Sequence, residues 1–427
     1  MLSKEKTRAY TDILKEELLP AMGCTEPIAI AYASAILRDA LGGEPGLIRI
    51  GLSGNIIKNV KSVTVPATGG MRGIAASVAA GIISGAPEKK LEVLCALTSD
   101  DKKRISEYIE RTPIEISELE TDEPFELDVF GEFEGHVASL HITGRHTNLV
   151  SVKRDGEDIT DRYGEAELEK QNRSANRELL TVHDIVEFAE TAELAELAPI
   201  LRRQIELNTA IAKEGLAKSC GAAIGATIYS DGNCSLRDRA KAFAAAGSDA
   251  RMSGCEMPVC IISGSGNQGM TASLPVIVYA DELGSDEETL MRALIVSDLI
   301  TVHQKTGIGC LSAYCGAISA GCGCGCGICY LYGGRYYEIA HTLVNSIAIL
   351  SGTICDGAKP SCAAKIAMAV EAGILGYEMM RSGHQFYGGD GIVTKGVENT
   401  IRNVGLLARD GMSETDRQII RIMLGEI

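Results

Sequence analysis

A run of alternating glycine and cysteine, Gly321-Cys322-Gly323-Cys324-Gly325-Cys326-Gly327, followed by Cys329, constrains this chain more than any other stretch. Side chains this small let neighbouring elements approach closely, so the tract predicts tight packing around it. Tryptophan is absent and aromatics make up 4% of residues, so the core has to be built from Ala, Ile, Leu, Val and Gly, which again favours close helix packing. The tract lies inside Cys310 to Cys362, a segment holding eight of the fourteen cysteines. With no sign of export, that density points to soft-metal ligation by thiolates before it points to disulfides.

Two features narrow the ligand choice. Cys355 and Cys362 bracket Asp356-Gly357-Ala358-Lys359-Pro360-Ser361, where Gly357 and Pro360 forbid a continuous helix and leave the backbone free to wrap something bulky. Cys315 lies forty residues upstream, far enough to approach from another element. Three ligands from two segments resemble an open site. Neither pair has the short CxxC spacing of zinc ribbons or ferredoxins, so zinc, copper(I) and iron–sulfur all stay open at this point. The alternative for these cysteines is that they are small apolar core residues, as free cysteines often are; Cys322, Cys324, Cys326 and Cys329 are read as letting neighbouring elements approach closely and are not assigned as ligands.

The length of 427 residues predicts two or three domains. An α+β N-terminal domain, residues 1–170, is expected to bind substrate or an anion, and a mainly α-helical C-terminal domain, residues 171–427, to carry the cysteines. The charged segment Asp155 to Arg177 reads as the linker between them. A net charge of −16 argues against nucleic acid or an anionic membrane as partner. Met1 to Leu19 mixes charges with an apolar stripe at Tyr10, Ile13, Leu14 and Leu18, the spacing of an amphipathic helix and not of a signal peptide. Arg38, Asn345 and Asp356 interrupt the best apolar runs before they reach membrane-span length. A soluble, cytoplasmic protein is expected, and its apolar, glycine-rich helical part is compatible with a homodimer.

Pro20 and Gly23 end the first helix, and Cys24-Thr25-Glu26-Pro27 opens a second running to about Leu41. Cys24 or Thr25 is placed to cap it, and a thiol at a helix start is stabilised as thiolate; the alternative is an inert buried thiol beside a cap. Leu47 to Val65 reads as short strands around a Ser53-Gly54-Asn55 turn, and Ala67-Thr68-Gly69-Gly70 introduces a helix from about Gly70 to Ser84. That turn can offer backbone amides to an anion. Pro113 to Val152 reads as antiparallel strands, and His136, His141 and His146, at five-residue intervals, read as surface or strand histidines and not a metal triad. The loop Ser263-Gly264-Ser265-Gly266-Asn267-Gln268-Gly269 precedes a helix and can line a pocket, with Asn267 and the backbone as donors. His303 and Lys305 are candidates for carboxylate binding or proton transfer. The last helix is read from Ser413, with Asp416 completing a capping box.

Gly23-Cys24-Thr25-Glu26-Pro27, Ser265-Gly266-Asn267-Gln268-Gly269-Met270-Thr271, the Cys315 segment and Cys355-Asp356-Gly357-Ala358-Lys359 through Cys362 together resemble the L-cysteine desulfidase family, which includes the YhaM and serine dehydratase-like alpha-chain proteins. The resemblance covers essentially the whole chain. It implies a 4Fe-4S cluster held by Cys315, Cys355 and Cys362 with one iron open, and β-elimination of L-cysteine to pyruvate, ammonia and hydrogen sulfide. Cys24 matches the family's N-terminal cysteine, as the α-proton base or as a ligand of the fourth iron. Thr25, Glu26, Ser53, Asn55, Thr68, Asn267, His303 and Lys305 are the substrate-binding candidates by motif neighbourhood. The chain lacks the serine- and histidine-containing loop of serine dehydratases, and GCTEP holds a comparable place at a helix start, which favours cysteine as the amino-acid substrate. A dehydratase acting on L-serine or another β-substituted amino acid, and a non-catalytic protein binding metal or sulfide, are the alternatives.

Overall fold

The computed structural model describes residues 2–163, 175–218, 220–229, 234–309 and 311–426. Its N-terminal part is α+β and its C-terminal part mainly helical, as expected. The predicted boundary at 170/171 and Cys310 lie outside the described residues. Among the described residues no helix is long and apolar enough to cross a membrane.

Strand β1, Pro20–Met22, pairs antiparallel with Pro258–Cys260. The sheet of the N-terminal part has the order β3-β2-β4-β5-β6-β7, with β2 Leu47–Leu52, β3 Ile114–Glu118, β4 Glu126–Phe133, β5 His136–Thr143, β6 Leu149–Arg154 and β7 Glu157–Asp158. All pairs are antiparallel except β2 with β3, which the chain links through a helical crossover, as a parallel pair requires. Leu127, Val129, Leu140, Ile142 and Val152 alternate onto one face. Helix α2, Thr25–Leu41, lies against these strands, and its Leu37 packs so tightly over Gly131 that a β-carbon there would sit 2.9 Å from Leu37 Cδ2.

Helix α1, Lys4–Glu17, buries the predicted stripe at Tyr10, Ile13 and Leu14. Three expectations shift. Leu47 to Val65 is a strand only to Leu52; Ser53 then caps α3, Gly54–Val60, in which Ile56, Ile57 and Val60 fall on one helical face. The following helix α4, Gly73–Ser84, starts three residues late because Gly69, Gly70 and Gly73 all have φ between +76° and +98°, outside the right-handed helical region. The last helix, Ser413–Leu424, is capped at Met412 without a side-chain cap bond, because the Asp416 carboxylate is drawn to the buried ammonium of Lys58.

Continuing with α5, Ser99–Arg111, α6, Val182–Thr191, α7, Leu194–Lys218, and α8, Ile224–Tyr229, the C-terminal part packs α9, Leu236–Met252, α10, Gly266–Leu283, α11, Glu287–Ile308, α12, Gly316–Leu331, α13, Tyr336–Leu350, and α14, Cys362–Arg381, around the glycine–cysteine tract. In α12 a step of two residues turns about 200°, so Gly321 and Gly325 face one way and Gly323 and Gly327 the other. A β-carbon on Gly325 would lie 2.7 Å from the carbonyl carbon of Gly373 in α14, and one on Gly327 2.9 Å from the carbonyl of Ala293 in α11. The helix therefore touches backbone on both sides. Cys322, Cys324, Cys326 and Cys329 fill the space between, all buried, with Cys324 Sγ 3.1 Å from Gly321 O and Cys326 Sγ 3.7 Å from Ile339 O. They are core residues of this interface.

Candidate functional site

Four helix starts converge on one cleft. Cys24 is the N-cap of α2, Ser265 of α10 and Cys315 of α12, and Cys362 is the first residue of α14. None of these starts has a side-chain cap bond. Their free amides and dipoles give the cleft a positive electrostatic bias. Gly23 delivers Cys24 with φ +56°, in a spot where a β-carbon would strike the Pro66 ring.

Cys315 and Cys355 are fixed by a short antiparallel bridge: Cys315 N donates to Thr353 O at 3.1 Å and Cys355 N to Ala313 O at 2.6 Å. The loop onward to Cys362 is knitted by Lys359, whose Nζ donates to the carbonyls of Asp356 and Gly357 at 3.2 Å, while Lys365 from α14 binds the Asp356 carboxylate. Gly357, at φ +89°, rests on the carbonyl of Lys58 in α3, where a β-carbon would sit 2.5 Å away. Cys362 Sγ lies 3.6 Å from Gly357 O. On the opposite wall Cys24 packs with Val63 and Met252 against Ala358 and Cys362.

Burial pushes the thiols of Cys24 and Cys315 up to about 12 and raises that of Cys362; Arg251 pulls Cys24 down, and Cys355 raises Cys315 and Cys362 by like charge. Thiolates here need a positive partner, which a metal group supplies. The sulfurs of Cys315, Cys355 and Cys362 do not all lie within 4.8 Å of one another; among the described residues only His183, Asp184 and Glu187 meet that spacing. Sulfurs around one tetrahedral ion, at about 2.3 Å from it, would be closer than that. Soft donors spread around a cleft fit a multi-iron group better than a single ion.

Of the candidates read from sequence, Cys24, Glu26, Asn267, Lys305, Cys315, Cys355 and Cys362 line the cleft. Thr25 is one layer behind, its Oγ1 donating to Gly264 O at 2.8 Å. Ser53, Asn55, Thr68 and His303 are outside the lining. Ser53 Oγ donates to Pro124 O at 2.9 Å, Thr68 Oγ1 to Val65 O at 2.8 Å, and His303 Nε2 meets Glu398 Oε2 at 2.7 Å, so each holds its own turn or helix junction. Asn55 Oδ1 is buried without a partner among the described residues.

The cleft also contains residues that the sequence reading passed over. Arg251, 3% exposed, comes from the last turn of α9, directly after the alanine-rich run Ala244-Ala245-Ala246-Gly247-Ser248-Asp249-Ala250. His146 separates from His136 and His141, which stay on β5 beside Asp155 and Asp128. It sits instead on the loop before β6, against Phe125 and Gly264, with Nε2 buried and unpartnered, and burial lowers its pKa. Asn59 donates to Glu26 Oε1 at 3.1 Å.

Residues 88–421 match the serine dehydratase alpha chain family, and the chain belongs to it. That makes the protein an enzyme of dehydratase or lyase type, in a family linked to iron–sulfur dehydratases. A UPF0597 protein of Desulfitobacterium hafniense is 53% identical over 420 residues, covering 98% of this chain and 97% of its own. UPF0597 proteins of Treponema denticola (44%, 99% of each chain) and Lachnoclostridium phytofermentans (46%, 97% and 98%) are similar along their whole lengths.

Proposed function

We propose that the protein is an iron–sulfur-dependent L-cysteine desulfidase, converting L-cysteine to pyruvate, ammonia and hydrogen sulfide. The observation that carries this reading is the meeting of Cys24, Cys315, Cys355 and Cys362 in one cleft under four helix starts. Cys315, Cys355 and Cys362 would hold a 4Fe-4S group. When bound, that group supplies Lewis acidity toward the substrate's carboxylate and leaving sulfur.

The chain's own residues do the rest. Cys24 Sγ, on the wall facing the ligand cysteines, is assigned the α-proton, which it takes as the thiolate, the form that Arg251 and the α2 start favour and that burial opposes; the C–S electrons leave with sulfur as hydrosulfide, and the aminoacrylate that remains is hydrolysed to pyruvate and ammonia. Burial of Cys24 keeps bulk solvent off the sulfur that takes the proton. Lys305, 5% exposed at the cleft edge, adds positive charge where the product anions form. L-serine dehydration is the second reading, favoured by the family's description.

Anaerobically purified protein offered L-cysteine and L-serine side by side separates the readings. Equal pyruvate and sulfide from cysteine, with little pyruvate from serine, is expected. Pyruvate from serine alone turns the assignment to the dehydratase. No product from either, in protein containing iron and labile sulfide, sinks both. Cys24→Ala is expected to keep the iron and lose turnover; loss of iron instead would make Cys24 a ligand.

A further inference from the structure

We infer that Arg251 binds the α-carboxylate of the substrate and that Gln268 and Glu26 receive its α-ammonium, so the cleft selects an intact α-amino acid. This deepens the desulfidase reading and rests on it. Arg251 is almost fully buried, yet among the described residues no carboxylate pairs with it; its guanidinium donates to Asn267 Oδ1 at 3.2 Å and has no other hydrogen-bond partner there, with Nε buried and unsatisfied. A guanidinium carries five donors in a fixed fork that matches a carboxylate, and burying one without a counter-anion is costly. Such a group in a cleft is complete only with an anionic occupant.

The surroundings are shaped for that fork. Gly266 lies flat against it: a β-carbon at 266 would sit 2.5 Å from Arg251 Nε and 3.1 Å from Cδ. Asn267, in the first turn of α10, holds one Nη, and the amides of the same turn add donors on that side. Complementary acceptors stand nearby. Among the described residues Gln268 Oε1 is buried with no partner, with its amide packed on Gly316 beside Cys315. Glu26 lines the same cleft, accepting from Asn59 at one oxygen and keeping further lone pairs for an ammonium group. A guanidinium and these acceptors lining one cleft match a zwitterion, with the β-substituent left for the cysteines that line it.

The test uses anaerobic holoenzyme as wild type, Arg251→Gln and Arg251→Lys, titrated calorimetrically with L-serine, with 3-mercaptopropionate, which keeps the carboxylate and lacks the ammonium, and with cysteamine, which lacks the carboxylate. Iron and the KM for L-cysteine are measured in parallel. Arg251→Gln should weaken L-serine and 3-mercaptopropionate on the order of 10- to 100-fold, leave cysteamine unchanged and keep its iron. Arg251→Lys, which keeps the charge and the fold, should weaken the same two ligands by a smaller factor. Unchanged affinities in variants that fold, or loss of iron from both, overturns the inference; iron loss would make Arg251 the counter-charge of the cluster. Wild type that turns over cysteine while the variants keep its KM refutes the carboxylate role alone, whereas wild type that neither binds nor converts any of these amino acids refutes the functional reading with it.

Discussion

Replacing Gly325 by alanine tests whether the glycine–cysteine tract positions the site. The new β-carbon would fall 2.7 Å from the carbonyl carbon and 2.8 Å from the Cα of Gly373, both backbone atoms of α14. Unstrained carbon contacts lie at about 3.5–4.0 Å, so α12 and α14 must separate by roughly 1 Å. Alanine gains about 1 kcal/mol of helix propensity, and overpacking a close contact costs about 1–3 kcal/mol. Backbone on the opposing side cannot rotate away, which puts the cost at the upper end and leaves about 1–2 kcal/mol of net destabilisation. Because α14 begins at Cys362, its retreat also moves a proposed cluster ligand. Misplacement on this scale costs on the order of 10²-fold in rate. Urea unfolding, iron content and turnover of Gly325→Ala should therefore all fall, against a control at Gly46, where a β-carbon meets nothing within 4 Å. A variant as stable, as iron-loaded and as active as wild type would refute the close-packing account.

The division of the cysteines into two sets predicts opposite outcomes for isosteric changes. Cys355→Ser should abolish iron and labile sulfide, measured on protein reconstituted anaerobically, whereas Cys324→Ser in the α11–α12–α14 interface should keep both and lower stability only. Asp298 is fully buried on α11, and burial raises its carboxyl to about 8, with Gln204 Nε2 as its hydrogen-bond donor at 3.1 Å. A carboxyl raised in the folded state binds a proton that the unfolded chain releases near pH 4, so folding is progressively disfavoured as pH rises from there toward 8. Asp298→Asn should remove that dependence, its stability relative to wild type growing by about 1.4 kcal/mol per pH unit between pH 5 and 7 in urea titrations. A pH-independent difference would show that the carboxyl is ionised in the fold.

Local signals carried the elements and much of the site. The stripe Tyr10, Ile13, Leu14 is visible because helical burial repeats along one chain segment, and Cys24 at a helix start is visible because caps are read within four residues. The tract at 321–327 announced close packing through side-chain size alone, although which backbones it touches depends on the 200° step between its glycines. Arg251 and His146 were not legible for a different reason. Each is unremarkable within its own segment, and what makes it a site residue is a buried ring or guanidinium nitrogen, His146 Nε2 and Arg251 Nε, left unsatisfied among the described residues after distant elements close around it. The misplaced starts at Ser53 and Gly70 have a third cause: short apolar runs fit either period, and three left-handed glycines moved the helix boundary. His303 sits two residues from Lys305 but on another face of α11, where Glu398 holds it, so sequence proximity to a cleft residue did not bring it in.

The chemistry proposed for the cleft follows from a balance that only the assembled fold displays. Four helix starts, Arg251, Lys305 and Lys365 bring positive potential to a space where Glu26 is the lining carboxylate and the thiols of Cys24, Cys315 and Cys362 are disfavoured as thiolates by burial. Left to the protein's own groups, the site holds unsatisfied donors and protonated sulfur. A thiolate-ligated metal group together with a zwitterionic substrate corrects both deficits at once: the metal replaces the protons on sulfur, and the substrate carboxylate answers the guanidinium. The two occupants should then bind cooperatively, since each supplies charge that stabilises the other's ligands. That coupling distinguishes an elimination catalyst from a storage protein, whose thiolates would need the metal but no buried arginine beside them.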